Sequence, residues 1–360
     1  GKLNLNSVVE REIDERIVEK KKLKYGDTII EKSGGSPSQP VGRVVFFDLE
    51  EKQTYLCNNF TAILRPRNDV FPKFFFYSLF YKHLNKATLK YQNKTTGIIN
   101  LQLERYLQEE IPIPPLPIQK QIADILEKTD AAREKRRQAN KLTEQFLQSA
   151  FLEMFGDPVM NPKGWDSVIL GDVTETITKG ETPLWKGDSY LESGVLFLRS
   201  ENVLTGSLDL TKRTFISQEV HERMKRSQVK RYDVLLNIVG ASIGRSAVFE
   251  EDCEANINQA ISILRTKTEL LPNYLSFLLN SERMQIKFKE LQAGVARDNL
   301  NLGQLRNLEI YLPAIQEQQK FATLVEKVES LRAKQRELEK ELENLFGSLM
   351  KRAFKGELVG

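Results

Sequence analysis

Two stretches of this chain decide its architecture, because they are copies of each other. Residues 299–354 read NLNLGQLRNLEIYLPAIQEQQKFATLVEKVESLRAKQRELEKELENLFGSLMKRAF, and residues 100–155 read NLQLERYLQEEIPIPPLPIQKQIADILEKTDAAREKRRQANKLTEQFLQSAFLEMF. They align without a gap at a shift of 199 residues, and 17 of the 56 pairs are identical. A period of this length is too long for a solenoid repeat and indicates a duplicated domain.

The two copies are unequal at the front. The similarity extends upstream of these two stretches. Residues 58–65 resemble residues 258–265, and residues 25–30 resemble residues 231–236. The second copy has 42 further residues, 164–205, before the stretch that matches residues 1–5. Either the first copy lost its opening strands or the given sequence begins inside the domain. We expect the second, because a lost strand would expose a sheet edge.

Composition narrows the class of protein. The 360 residues carry a net charge of only +4, and no stretch without Asp, Glu, Lys or Arg is longer than twelve residues, as at 270–281. A helix that crosses a bilayer needs about 20 apolar residues, so we expect no membrane span. Two cysteines and two histidines predict neither a disulfide scaffold nor a metal site. We therefore expect a cytoplasmic protein without a cofactor.

Each copy combines short strands with a long helix, which predicts the α+β class. Strand-like apolar runs occur at 44–47, 60–64, 195–198, 234–239 and 260–264, and helical spacing occurs at 72–84 and 272–291. A proline-bearing extended segment precedes each long helix. The predicted order is a β-rich domain at 1–113 with its front portion missing, a helical region at 114–157, a second β-rich domain at 158–312 and a second helical region at 313–360.

The second long helix carries apolar residues at alternating spacings of four and three, which predicts a coiled-coil seam. Its positions are Leu324, Val328, Leu331, Gln335, Leu338, Leu342, Leu345 and Leu349. The matching positions of the first helix are smaller and more polar. We therefore expect the two helices to pair antiparallel inside one chain with pseudo-twofold symmetry. Coiled-coil dimerisation between chains is the alternative.

Such an arrangement is suited to double-stranded DNA, since paired domains at a fixed distance can read two half-sites. Basic residues cluster at 210–231 and recur at 16–24. Clusters of this kind neutralise phosphates and position a duplex. Turn-rich loops at 179–185, 199–202 and 240–245 offer groups for base readout. The candidate DNA-binding residues are Lys179, Thr182, Arg199, Asn202, Lys212, Arg213, Lys225, Arg226, Ser242 and Arg245, with Lys20, Lys22, Ser33 and Arg43 in the first copy.

Several of these motifs together resemble the specificity subunit of Type I restriction–modification enzymes. They are Gly180-Glu181-Thr182-Pro183, the turn from Gly240 to Gly244-Arg245, Asn299-Leu300-Asn301-Leu302, Leu312-Pro313 leading into Gln316-Glu317-Gln318-Gln319, Phe155-Gly156-Asp157-Pro158, and Ala353-Phe354-Lys355-Gly356-Glu357-Leu358. The resemblance covers the chain apart from the absent front of the first copy. That copy has no counterpart of Gly180-Glu181-Thr182-Pro183, which departs from the pattern.

The resemblance implies two target recognition domains that read a split DNA sequence across a spacer set by the helices. It also implies that the helical regions dock two methyltransferase (modification) subunits, with motor–nuclease (restriction) subunits in the larger complex. We assign the docking to residues at the ends of the two helices, namely Pro114, Gln119, Phe155, Pro313, Gln318 and Phe354.

No catalytic motif competes with a binding function. The chain contains no phosphate-binding G-x-x-x-x-G-K-[ST] loop and no H-E-x-x-H zinc motif. A methyltransferase Asn/Asp-Pro-Pro-aromatic tetrad is also absent. We expect a non-catalytic subunit. The alternative function is a coiled-coil scaffold that binds proteins without DNA specificity.

Overall fold

The chain forms two compact units, each of which contains one half of each long helix. A computed structural model describes residues 1, 3, 5, 8–36, 39–49, 53–95, 98–183, 187–292 and 299–358. Unit 1 comprises Gly1–Gln138 and Gln335–Gly360, and unit 2 comprises Ala139–Lys334. This division follows packing and differs from the sequential division into four segments.

Unit 1 contains two three-stranded antiparallel sheets. Its helices are α1 (Glu15–Lys21), α2 (Pro72–Leu84) and α3 (Leu103–Tyr106), and its strands are β1 (Thr28–Glu31), β2 (Ser33–Gly35), β3 (Val44–Phe46), β4 (Thr61–Leu64), β5 (Gln92–Thr95) and β6 (Ile98–Leu101). The sheet orders are β3-β1-β4 and β2-β6-β5. Helix α2 covers the first sheet with Phe74 and Tyr77, and Pro72 fits at its first turn because that position needs no N–H donor.

The long helix α4 (Leu116–Phe155) follows unit 1's sheets and leads into unit 2. Unit 2 then contains the strands β7 (Asp166–Ile169), β8 (Thr174–Lys179), β9 (Val195–Leu198), β10 (Phe215–Ile216), β11 (Gln228–Val229), β12 (Val234–Asn237), β13 (Ser246–Val248), β14 (Ala255–Ile257), β15 (Ile261–Thr266) and β16 (Glu309–Leu312). Its helices are α5 (Gln218–Arg223), α6 (Pro272–Asn280), α7 (Glu282–Gln292) and α8 (Leu302–Arg306), and α9 (Ile315–Phe354) is the second long helix.

The two larger sheets of unit 2 have the orders β13-β12-β15-β8 and β10-β9-β14-β11, and β16 pairs with β7. Strand β12 is buried on both faces, because alternate side chains of a strand point in opposite directions. Val234 and Leu236 belong to the core that also holds the helices, whereas Leu235 belongs to the core between the sheets. The near-continuous apolar run 234–239 is explained by this double burial.

The duplication is visible in matching contacts. In unit 1 the Arg65 guanidinium donates two hydrogen bonds of 2.6 and 2.7 Å to the Asp27 carboxylate. In unit 2 Arg265 makes the same bidentate contact with Asp233, at 2.8 and 2.7 Å. Each carboxylate also accepts a backbone N–H from the residue three positions earlier, at 2.7 Å in both units. Each pair therefore fastens the turn that precedes β1 or β12 to the neighbouring strand, β4 or β15.

The units differ at one sheet edge. Strand β8 covers the outer edge of β15 in unit 2. Within the described part of unit 1 no strand pairs with the corresponding outer edge of β4. Residues Ala62 and Ile63 are accordingly half-buried, whereas their counterparts Ser262 and Ile263 are fully buried.

The helices α4 and α9 pack antiparallel within each unit, which confirms the predicted α+β fold with intramolecular helix pairing. Each has 40 residues, which corresponds to about 60 Å. In unit 1 Arg133 and Arg137 of α4 both donate to Glu343, the latter at 2.9 Å. In unit 2 the rings of Phe151 and Phe321 lie 5.4 Å apart. Residues later in α4 therefore contact residues earlier in α9, so the two helices run antiparallel.

The predicted leucine seam is correct in part. Val328 and Gln335 are buried, and Leu324, Leu342 and Leu349 are half-buried, but Leu331, Leu338 and Leu345 are exposed to 49%, 42% and 49%. Helix α9 also buries Gln318, Phe321, Val325, Phe346, Met350 and Ala353. Phe346 carries more apolar area than its neighbour Leu345, so its burial sets the rotation of α9 in unit 1.

The predicted helix at 272–291 is two helices. Helix α6 ends at Asn280, and Ser281 has an extended backbone with φ −63° and ψ 146°. Its hydroxyl accepts a hydrogen bond from the N–H of Met284, which caps the start of α7. Serine at this position therefore ends one helix and begins the next.

Candidate nucleic-acid interface

Four loops of unit 2 meet at one end of its two large sheets. Lys179 at the end of β8 lies opposite Ser262 near the start of β15, and Ile261 lies opposite Asn237 at the end of β12. Leu198 at the end of β9 pairs with Ile257 at the end of β14. Since these strand ends are neighbours, the loops at 180–183, 199–204, 240–245 and 258–260 share one edge.

Hydrogen bonds tie these loops together. The Thr182 hydroxyl donates to the side chain of Gln259. The Asn237 amide donates to the Ser200 carbonyl at 2.9 Å and to the Ser242 hydroxyl at 3.1 Å. A Cβ on Gly180 would lie 2.0 Å from the carbonyl oxygen of Ile257, so only glycine allows this approach. The loops therefore form a preorganised surface.

Most of the predicted DNA-binding residues of unit 2 lie at this edge. Lys179, Lys212, Lys225, Arg226 and Arg245 are exposed, and Thr182, Arg199 and Ser242 are half-buried. Lys225 and Arg226 lie on a turn that contacts β8 and whose Ser227 hydroxyl accepts from Asn256, next to the end of β14. We call the set Lys179, Lys212, Lys225, Arg226 and Arg245 the cationic edge.

The cationic edge is electrostatically unusual for this chain. None of its five side chains forms an ion pair with any residue that the structure describes, whereas Arg223, Arg265 and Arg283 each bond a carboxylate. Arg199 lies beside the edge and pairs with Glu201 at 3.3 Å. Lys212 lies near the Asp209 carboxylate, and the other four positive charges of this edge produce a field that attracts polyanions.

Two predicted residues of unit 2 differ in their surroundings. Asn202 is buried, and its side chain accepts the N–H of Arg199 and donates to the carbonyls of Asp209 and Lys212, so it shapes the loop from within. Its burial corrects its assignment to DNA. Arg213 is exposed in a groove that Glu251 and Glu254 also line, and its assignment to DNA stays a prediction.

Unit 1 presents a weaker version of the edge. Lys20 is exposed and Lys22 is half-buried at the end of α1 and just beyond it. The Ser33 hydroxyl donates to the side chain of Asn100, and Arg43 forms a bidentate ion pair with Glu31. The hydrogen bonds that Arg43 donates to Glu31 raise the pKa of its guanidinium. Ser33 and Arg43 are thus already engaged within the unit.

Four of the six predicted partner-binding residues are buried inside the protein. Gln119 and Gln318 are buried, and each accepts the N–H that precedes a helix-starting proline, from Phe71 and Leu271. Phe155 belongs to the core of unit 2, and the Phe354 ring stacks on Tyr81 in unit 1. Pro313 is buried and Pro114 is half-buried. Burial removes Gln119, Phe155, Pro313 and Gln318 from a partner surface, whereas the assignment of the half-buried Pro114 and Phe354 stays a prediction.

Apolar surface on the helices is found elsewhere. In unit 1, α9 exposes Leu338 and Leu345, and in unit 2, α9 exposes Leu331 while α4 exposes Leu142 and Phe146. We call Leu331, Leu338 and Leu345, which recur every seven residues along α9, the exposed helix stripe. The heptad spacing identifies them in the sequence, but it does not show that they lie outside the contact between α4 and α9.

The described residues show no group of three His, Cys, Asp or Glu side chains that could hold a metal ion. Among the same residues, no helix has both the length and the apolar character needed to cross a bilayer.

Comparison with known proteins gives one family. The sequence model described as "Type I restriction modification DNA specificity domain" matches residues 6–144 and 162–344. The specificity subunit of the Type I restriction enzyme EcoBI from Escherichia coli is 28% identical over 342 residues, covering 84% of this chain and 69% of the relative. The MjaVIII specificity subunit from Methanocaldococcus jannaschii is 25% identical over 302 residues, covering 79% and 70%.

Solved structures share the fold. A chain from a study of complex assembly and conformational transition of the type I R-M system has a TM-score of 0.58 at 22% identity, covering 94% of this chain and 83% of that one. The Type I restriction–modification S subunit from M. genitalium has a TM-score of 0.57 at 15% identity, covering 93% and 84%.

Proposed function

Because this chain belongs to the family of Type I restriction–modification DNA specificity proteins, we propose that it is a specificity subunit that binds double-stranded DNA and catalyses no reaction. The observation that carries the proposal is the cationic edge of unit 2, where five basic side chains form no ion pair with a described residue beside four converging loops. The lysines and arginines neutralise phosphates and fix the register of the duplex. The loops between them then reach the base edges.

The same proposal assigns a role to each segment. Residues 1–113 and 158–312 act as target recognition domains, and residues 114–157 and 313–360 act as helical regions that set the length of the unread spacer. The two edges differ in charge and in side chains, so each unit reads a different half of a split target. The chain works in the cytoplasm, where its DNA is found.

Partner subunits dock on the exposed helix stripe in this proposal. Apolar side chains repeated along a helix are the surface that a second helix covers in a coiled coil. We assign the stripe to helices of two methyltransferase (modification) subunits, with the motor–nuclease (restriction) subunits joining the resulting complex. The stripe replaces the buried residues that the sequence suggested for this role.

Charge reversal at Lys225 and Arg226 tests the DNA-binding function. The double variant K225E/R226E should bind all duplexes less tightly, and the slope of log K against log salt should become shallower by about 1.8, since each phosphate contact contributes about 0.9. Mobility shift with a long mixed-sequence duplex, repeated over a salt series, measures both quantities. The matched control is K128E, a charge reversal at an exposed residue of α4.

Equal binding by the wild type, K225E/R226E and K128E would refute the DNA-binding assignment and favour the protein-binding scaffold. Loss at one target sequence only would show that the two residues read bases.

Docking is tested separately with L338D/L345D. These exposed changes should leave the unfolding midpoint unchanged and abolish co-purification with the modification subunit. The control N344D/S348D makes the same change in net charge at exposed positions beside the stripe. Retained co-purification by L338D/L345D would exclude the stripe as the docking surface.

A further inference from the structure

The glycine–arginine turn is the same in both units, which allows a direct comparison. Gly42 and Gly244 have φ values of +97° and +88°. The N–H of Gly42 donates to the Glu31 carbonyl at 3.0 Å, and that of Gly244 donates to the Asn237 carbonyl at 2.9 Å. The carbonyls of the following arginines, Arg43 and Arg245, accept from the same two residues at 2.9 Å. Glu31 and Asn237 are therefore equivalent, as are Arg43 and Arg245.

The side chains at these equivalent positions behave differently. In unit 1 both carboxylate oxygens of Glu31 accept from Arg43, through Nε at 2.9 Å and Nη2 at 2.5 Å. A bidentate pair of this kind fixes the guanidinium and cancels its charge. Glu31 is only 17% exposed, so the pair is partly shielded from solvent.

In unit 2 the residue at the strand end carries no charge and bonds elsewhere. Asn237 is fully buried, and its amide donates to the carbonyls of Ser200 and Val203 and to the hydroxyl of Ser242. The Arg245 side chain is exposed, and no hydrogen bond or ion pair joins it to a described residue. Its positive charge and its donors are therefore available to a ligand.

We propose that the residue at the end of the central strand decides whether the adjacent arginine binds DNA. Asn237 leaves Arg245 free to bind a phosphate or a guanine edge, and Glu31 withholds Arg43 from the same contact in unit 1. The inference rests on the proposed DNA-binding function and deepens it, because it makes unit 2 the stronger anchor. Glu31 and Asn237 act through an arginine and are positioning residues.

The expected magnitude follows from counterion release. One phosphate contact contributes a slope of about 0.9 in log K against log salt, which is a factor of about eight at about 0.1 M monovalent salt. R245Q should therefore bind a mixed-sequence duplex about eightfold more weakly, with a slope shallower by about 0.9. E31Q should bind up to about eightfold more tightly with a correspondingly steeper slope, because it releases Arg43.

Two controls separate this effect from net charge and from unfolding. E31Q/R43Q removes a neutral pair and should return to wild-type affinity. E104Q makes the same charge change at an exposed glutamate of unit 1, and screening over about 10 Å at this salt should leave its affinity unchanged. Thermal unfolding of each full-length variant establishes that it is folded before binding is measured.

The outcomes distinguish this inference from the proposed function. If K225E/R226E weakens binding while R245Q and E31Q match the wild type in affinity and slope, the inference is overturned and the DNA-binding function stands. A gain in E31Q no larger than that in E104Q also overturns it, because net charge would then suffice. If the wild type shows no salt-dependent binding to DNA, the proposed function fails and the inference fails with it.

Discussion

Replacing Gln318 with methionine should destabilise unit 2 although it preserves the size and helix propensity of the side chain. Gln318 is fully buried, and its amide group makes three hydrogen bonds. Its oxygen accepts the N–H of Leu271 at 2.8 Å, and its nitrogen donates to the carbonyls of Glu269 and Pro313 at 3.0 and 2.7 Å. Methionine fills the same volume and provides none of these partners.

The magnitude follows from the groups left without partners. One backbone N–H and two carbonyls lose a hydrogen bond in a buried site, and each loss costs about 1 to 1.3 kcal/mol. The free energy of unfolding of unit 2 should therefore fall by about 3 to 4 kcal/mol. With a urea m-value of about 2 kcal/mol per molar, the midpoint should fall by about 1.5 to 2 M.

Urea denaturation followed by tryptophan fluorescence suits this test, because Trp165 lies in unit 2 and donates to the Phe155 carbonyl. The control is Q319M, the same substitution at the exposed neighbouring position, which should shift the midpoint by less than about 0.3 M. A Q318M midpoint equal to that of Q319M would refute the reasoning. Loss of co-purification with the modification subunit at unchanged stability would instead restore Gln318 as a partner contact.

Two other changes have defined expectations. In urea titrations, D233N should lower the free energy of unfolding by about 3 kcal/mol and D27N by about 1 to 2 kcal/mol. The loss is larger in unit 2 because Arg265 is 20% exposed and is hydrated less readily than Arg65, which is 47% exposed. Equal losses would contradict this. Lys90, Tyr91 and Lys82 lower the pKa of Glu109 from its ordinary 4.5 to about 2, so its stabilisation is complete above about pH 4.5 and is lost as the pH falls towards 2. The difference in melting temperature between wild type and E109Q should follow that window, and a difference that persists at pH 2 would show that charge is not its cause.

The sequence was informative about elements and less so about surfaces. A continuous apolar run was sufficient for strand 195–198, and a proline at the start with helical spacing after it was sufficient for helix α2 at 72–84. Antiparallel pairing of α4 with α9 also followed from the duplication. The rotation of α9 in unit 1 did not follow, because a heptad count selects Leu345, whereas burial favours the larger ring of its neighbour Phe346.

The candidate site could also be predicted only in part. Most basic and loop residues of unit 2 do lie at one edge, because the strand order places their loops together. Asn202, Arg43 and the two buried glutamines could not be assigned from the sequence, since each depends on a partner that is distant along the chain or inside a turn. Their polar groups form hydrogen bonds within the protein, and the type of a residue does not show whether its hydrogen-bonding groups are already used in this way.

The positions at which the two copies agree and differ support a division of labour within each unit. The buried glutamine, the Asp–Arg pair and the glycine turn occur in both units with nearly the same distances, and all of them hold strands and helix ends in place. Glu31 and Asn237 differ, as do Ser33 and Val239, and these residues lie at strand ends beside the loops. A framework that recurs while its loop edge changes allows two recognition surfaces to be carried by one architecture. The same framework explains why a single residue such as Glu31 can change the charge of an edge without changing the fold that presents it.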